Sequence, residues 1–199
     1  SQRVSRILQS GNSAEGVELA DGTKVMATRA VIANTAPSAI PKLLGGSTGD
    51  ARYDAGVAGF RHAPGTMMIH LALSGLPDWA AGAELKRFAY VHLAPSLHMM
   101  STAYSEAANG LLPREPVLVV GQPTAIDPSR APEGQHILWI QVRMAPGTIT
   151  GDAANEIDAR DWEEAREPFA ERVLDIIERY APGLRDKILG KAIVSPNDL

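Results

Sequence analysis

The sequence predicts an α+β fold: a mostly antiparallel sheet covered by helices, with a β-meander ahead of it. Three observations lead there. Asp21-Gly22 sits between two runs of strand-forming residues, a strong short hairpin signal. Residues 66–73, TMMIHLAL, separate Met67, Ile69, Leu71 and Leu73 from Met68, His70 and Ala72, the two-residue period of a half-buried strand. Phe169, Val173, Ile176, Ile177 and Tyr180 line one side of a long segment at helical spacing, which supplies an amphipathic helix able to cover such a sheet.

The elements follow in order. Residues 4–8, VSRIL, form a first strand, and GVELADG at 16–22 carries the second into the hairpin. A return strand leads to a third run, AVIA at 30–33, closed by Asn34 and Pro37. This run is apolar on both faces, so it is expected as a strand covered on both sides. Pro37 suits the first turn of a short helix through Leu44, where its missing N–H has no partner to lose. GGSTGDARYDAG, residues 45–56, reads as a polar glycine-rich crossing and marks the expected boundary. Strands are expected at 66–73, 88–93, 117–121 and 137–144, the last two joined by the loop QPTAIDPSRAPEG. Between them Ser96 caps a helix in which Leu97, Met100, Tyr104 and Ala107 recur, ending at Asn109-Gly110. Asp161 opens the long helix, with Glu164 as its capping-box partner, and Pro168 inside it predicts a kink or restart. Pro182-Gly183 ends that helix, and AIVS after it reads as a final strand.

Composition narrows the function classes. With 199 residues, 45% of them hydrophobic, the chain can bury a substantial core. A net charge of −4 lacks the clustered cations that phosphate backbones require, so no nucleic-acid partner is expected. Cysteine is absent, which removes disulfides and thiolate chemistry. No apolar run approaches the roughly 20 residues of a membrane span, and a cytoplasmic protein is expected. Neither a G-x-S-x-G elbow nor an H-E-x-x-H pair occurs, and His62, His70, His92, His98 and His136 do not fall at metal-ligand spacing, so no metal site is expected. His70 reads as a sheet-face or core histidine, whereas His92 and His98 flank APSL, where they can face a cavity. Met67, Met68, Met99, Met100 and Met144 lie in or beside the expected sheet, as core filling or as the lining of a channel for a long apolar molecule. These properties leave Met68, His70, His92 and His98 as substrate-lining candidates and give no catalytic constellation.

Several blocks carry a resemblance. V-x-R-I at 4–7, GVELADG at 16–22, VIANTAP at 31–37, LALSGLP at 71–77, APSLHMMSTAYSEAANG at 94–110 and DPSRAPEGQHILWIQVRMAP at 127–146 together resemble the phytoene dehydrogenase-like FAD-dependent oxidoreductases, relatives of the amine oxidases and carotenoid desaturases. The resemblance implies that residues 1–44 belong to an incomplete Rossmann-like FAD-binding domain and residues 45–199 to a substrate-binding domain. It implies hydride transfer from an apolar small-molecule substrate to the flavin N5, with FAD held partly by backbone groups at Val4. Such enzymes hold the FAD pyrophosphate on a G-x-G-x-x-G turn, and no two glycines here are separated by a single residue. The chain is therefore expected to bind no FAD by itself and to be inactive, its partners being FAD-binding segments on either side of it in the same protein. Peripheral membrane docking would then be a property of the whole enzyme. Uncovered strands in VSRIL and VIANTA further predict homo-oligomers. A stand-alone binding or assembly module without redox activity is the alternative.

Overall fold

The computed structural model describes residues 2–198. The chain divides into two compact units, Ser1–His62 and Ala63–Leu199.

The first unit is built on an antiparallel ribbon of β1 (Val4–Ser10), β2 (Ser13–Leu19) and β3 (Lys24–Met26), in that order. The Asp21 side chain accepts from the Thr23 N–H at 2.9 Å, which fixes the expected hairpin turn locally. Gly16 has no room for a side chain, because a Cβ there would lie 2.4 Å from the Val25 carbonyl oxygen across the ribbon. Two short helices follow, α1 (Ala39–Leu43) and α2 (Ala51–Ala58).

Two sequence expectations are corrected here. Residues 30–33 form no strand: Val31 is half-buried and Ile32 is 92% exposed. An apolar run becomes a strand only where a neighbouring strand completes its ladder, and the described residues offer none to this segment. Residues 45–56, expected as a polar glycine-rich crossing, are partly helical. They contain most of α2, whose first turn is closed by Asp50 accepting from the N–H groups of Arg52 and Tyr53 at 2.9 and 3.1 Å. This stretch belongs to the first unit, and the division falls after His62.

The second unit holds a five-stranded, wholly antiparallel sheet. Its strands are β4 (Gly65–Leu73), β5 (Tyr90–Leu93), β7 (Val117–Gly121), β8 (His136–Ala145) and β10 (Ile188–Val194), in the order β10-β4-β8-β7-β5. Two-residue strands β6 (Leu111–Leu112) and β9 (Gly151–Asp152) pair in parallel outside it. Alternation decides which residues enter the core. Met67, Ile69, Leu71 and Leu73 of β4, Leu138, Ile140 and Val142 of β8, and Leu118 and Val120 of β7 are almost fully buried on one face. Helix α4 (Trp162–Tyr180) covers that face with Phe169, Val173, Leu174 and Ile177. Each such side chain stabilises the fold by roughly 1.5–3 kcal/mol on burial, which makes this the energetic centre of the unit. Asp161 accepts from the Glu164 N–H at 3.0 Å and starts α4 where expected, and the helix runs on through Pro168.

Helix α3 (Leu97–Ala108) begins at Ser96, whose side chain accepts from the Met99 N–H at 3.1 Å. Its buried residues, Ala103 and Ala107, lie outside the core under α4. Of the recurring residues Leu97, Met100, Tyr104 and Ala107, the first three are 82%, 40% and 46% exposed and only Ala107 is buried, so the helix packs through Ala107 and its neighbour Ala103.

Candidate functional site

The sheet face away from α4 is the place where exposed chemistry collects. Cross-strand register sets its pattern. One row runs Ala192, His70, Trp139, Gly121, Tyr90, and the next runs Val194, Met68, Gln141, Val119, His92. Alternation that sends Met67, Ile69, Leu138 and Ile140 under α4 necessarily sends Met68, His70, Trp139 and Gln141 outward. Three substrate-lining candidates, Met68, His70 and His92, therefore share this face. His98 does not join them. It stands exposed on α3 beside a separate hollow of about 320 Å³ with Ser101, Thr102 and Ser105.

Trp139, Gln141 and Tyr90 are the residues that reading for histidines and methionines missed. The alternation of HILWIQVRM carried the signal for Trp139 and Gln141, since each is flanked by core residues. Trp139 also depends on Gly121. A Cβ at Gly121 would lie 2.5 Å from the indole Cε2, so only glycine lets the ring lie across β7. There Trp139 meets Tyr90 edge-on, with centroids 5.5 Å apart and planes at 68°.

This arrangement positions a ligand better than it transfers protons. No Asp or Glu lies on the strands of this face, and Arg143 supplies its formal charge. His70 and His92 are separated by two intervening strands, roughly 14 Å at ordinary strand spacing, too far to act as a pair. Among the described residues no three His, Cys, Asp or Glu side chains are grouped to hold a metal ion.

The strongest electrostatic feature lies elsewhere. Arg172 on α4 grips Asp152 with two parallel hydrogen bonds, each 2.6 Å, and the carboxylate also accepts from the N–H groups of Glu156 and Ile157 at 2.9 and 3.0 Å. Burial opposes ionisation of Asp152, but the Arg172 guanidinium and the two backbone donors outweigh it and hold the carboxyl down at about 2. The Arg172 Nε is buried without a partner among the described residues, and the two-pronged contact through the other guanidinium nitrogens fastens β9 to α4.

Among the described residues the longer helices offer a dinucleotide phosphate no free N-terminus. The N-termini of the longer helices are taken by side chains of the chain itself, Asp50 on α2, Ser96 on α3 and Asp161 on α4. Two of these are carboxylates, which occupy the donors a pyrophosphate would use and repel its charge. Val4, where the resemblance implied a backbone contact to FAD, pairs with Leu19 on β1, an edge of the ribbon.

A pyridine nucleotide-disulfide oxidoreductase domain-containing protein 2 from Rattus norvegicus is 29% identical over 140 residues, 66% of this chain and 23% of its own length. A phytoene dehydrogenase from Streptomyces griseus is 27% identical over 140 residues, 69% of this chain and 25% of its own. The chain is thus similar over about two thirds of its length to proteins named as oxidoreductases, a phytoene dehydrogenase among them. No protein-family profile matches it. A crystal structure of an oxidoreductase from Methanosarcina mazei shares the fold at a TM-score of 0.51 and 21% identity, covering 96% of this chain and 36% of that protein. The chain spans about a quarter of the length of the curated relatives it matches. Among its described residues no helix is long and apolar enough to cross a membrane.

Proposed function

We propose that this chain is the substrate-binding portion of an FAD-dependent oxidoreductase that oxidises an apolar small molecule, and that residues 63–198 supply the sheet that lies over the reacting centre. The observation that carries this reading is the asymmetry of the sheet. One face is sealed under α4, while the centre of the other presents Met68, His70, Trp139 and Gln141 with no carboxylate among them. Soluble proteins seldom leave such a face without a use.

The flavin itself would accept the hydride. The residues present here do not fit its pyrophosphate, so other segments of the same protein would hold it, on either side of this chain. The 92% exposure of Ile32 within VIANTAP agrees with a missing neighbour for the first unit. The contribution of this chain is then shape and orientation: Trp139, propped on Gly121 and braced by Tyr90, and Met68 beside it set where an apolar substrate rests. The chain alone is expected to be inactive.

The test uses the full-length gene product with Trp139→Ala and Met68→Ala. With an apolar substrate that bleaches the flavin anaerobically, each variant is expected to keep its flavin content and to raise KM roughly 10-fold, the effect of removing a large contact from an apolar pocket. Unchanged kinetics in both variants would contradict the placement of this face over the substrate.

A further inference from the structure

The strands of the open face carry a single outward-facing charge, and its setting is distinctive. Arg143 stands in the outward row of β8, two residues beyond Gln141 and four beyond Trp139, opposite Thr66 of β4 and Val117 of β7. It is exposed, and among the described residues its guanidinium forms no ion pair. The arginines of α4 contrast with it, since Arg166, Arg172 and Arg179 each reach a carboxylate. Helix α3 also packs against β8, but its one carboxylate, Glu106, accepts from the Arg114 N–H at 3.1 Å.

The backbone beside Arg143 is strained. Gly65 pairs with Ala145 and Thr66 with Arg143, so Met144 is an extra residue in β8 and forms a bulge. Its φ of 61° lies in the left-handed region, which glycine adopts freely and a long side chain does not. Asn155 is the other non-glycine residue with positive φ among the described residues, and asparagine tolerates that region better than methionine. A bulge of this kind ends the regular alternation and sets the direction in which the residue before it leaves the sheet. Such strain collects where a side chain has to be aimed at a ligand.

We propose that Arg143 receives the carboxylate of a long apolar acid whose hydrocarbon part lies along β8 against Gln141, Trp139 and Met68. The inference rests on the substrate placement argued above and adds the substrate class to it. Four strand residues separate Arg143 from Trp139, roughly 14 Å at ordinary strand rise, so only an extended molecule reaches both. A carboxylate matches one guanidinium in charge and in its fork of donors. A diphosphate would need further cations, and these strands turn no other outward. Lys191 of β10 is directed to Glu167 and Glu171 of α4, on the covered side. The absence of Asp and Glu from the strands of this face leaves nothing on them to repel an anion.

The fluorescent polyene acid cis-parinaric acid and its methyl ester, titrated into the flavin-loaded full-length protein, test the inference. The unmodified protein is expected to bind the acid at least 10-fold more tightly than the ester, the effect of a charge-assisted hydrogen-bonded pair. Arg143→Gln is expected to weaken the acid about 10-fold, with the ester and the flavin content unchanged. Arg143→Lys, which keeps the charge without the fork, should recover part of that loss. Trp139→Ala is expected to weaken both probes alike. Equal binding of acid and ester by the unmodified protein, or a loss in Arg143→Gln that falls on both alike, overturns the role of Arg143 and leaves the substrate placement standing. No saturable binding of either probe, or Trp139→Ala without effect on both, overturns the placement of an apolar ligand on this face and this inference with it.

Discussion

Asp152 and Arg172 show how much one buried pair can hold. The Asp152 side chain is 1% exposed and that of Arg172 9%, so removing either partner strands a charge away from water. Asp152→Asn and Arg172→Gln are each expected to cost about 3–5 kcal/mol in urea unfolding, far more than Arg179→Gln at the exposed pair with Glu115. The pair also makes stability depend on pH. The folded Asp152 carboxyl, at about 2, lies below its ordinary value of 3.8. Its stabilisation is therefore complete above pH 4 and is lost as pH falls towards 2, roughly 2 kcal/mol in all. Unfolding of Asp152→Asn followed over the same range should lack this component. A second residue-scale test concerns Gly121. Gly121→Ala should destabilise by about 1–3 kcal/mol because the indole of Trp139 must move, and the same change in a Trp139→Val background should cost markedly less. Neither relationship could be read from the sequence. Asp152 and Arg172 lie on different elements, and the demand on Gly121 comes from a strand whose register only the folded sheet defines.

At the scale of elements, local signals were legible where the reason for the element is local. Alternation placed β4 and β8, and capping placed the starts of α3 at Ser96 and α4 at Asp161. Asp161→Ala is accordingly expected to lower stability by about 1 kcal/mol, seen as a shifted urea midpoint at unchanged slope. Of the kink or restart expected at Pro168, the restart does not occur, since α4 is a single helix from Trp162 to Tyr180. The proline leaves the Glu164 carbonyl without its helical donor, so Pro168→Ala should stabilise by about 1–3 kcal/mol. The misreadings came where the reason is not local. Residues 30–33 have strand composition but no ladder partner, and α2 carries a glycine and mostly small residues while a good cap at Asp50 holds its first turn. On α3 the apolar stripe was visible, but small alanines, which allow close approach, make the packed face.

For the whole molecule, the fold class was readable because alternating strands and one strongly amphipathic helix admit few arrangements other than a sheet with a covered face. The open face was half readable. Knowing that Met67 and Ile69 point inward fixes Met68 and His70 outward, but the meeting of His70, Trp139 and Tyr90 in one row needs the strand order. The central claim is that this chain shapes a site over a flavin that other segments hold. Titration of FAD with residues 1–199, followed by flavin fluorescence, tests it most directly. No saturable change is expected, because Asp50, Ser96 and Asp161 occupy the helix N-termini where phosphates would bind. Stoichiometric binding, or flavin retained through purification of this chain alone, would contradict the account.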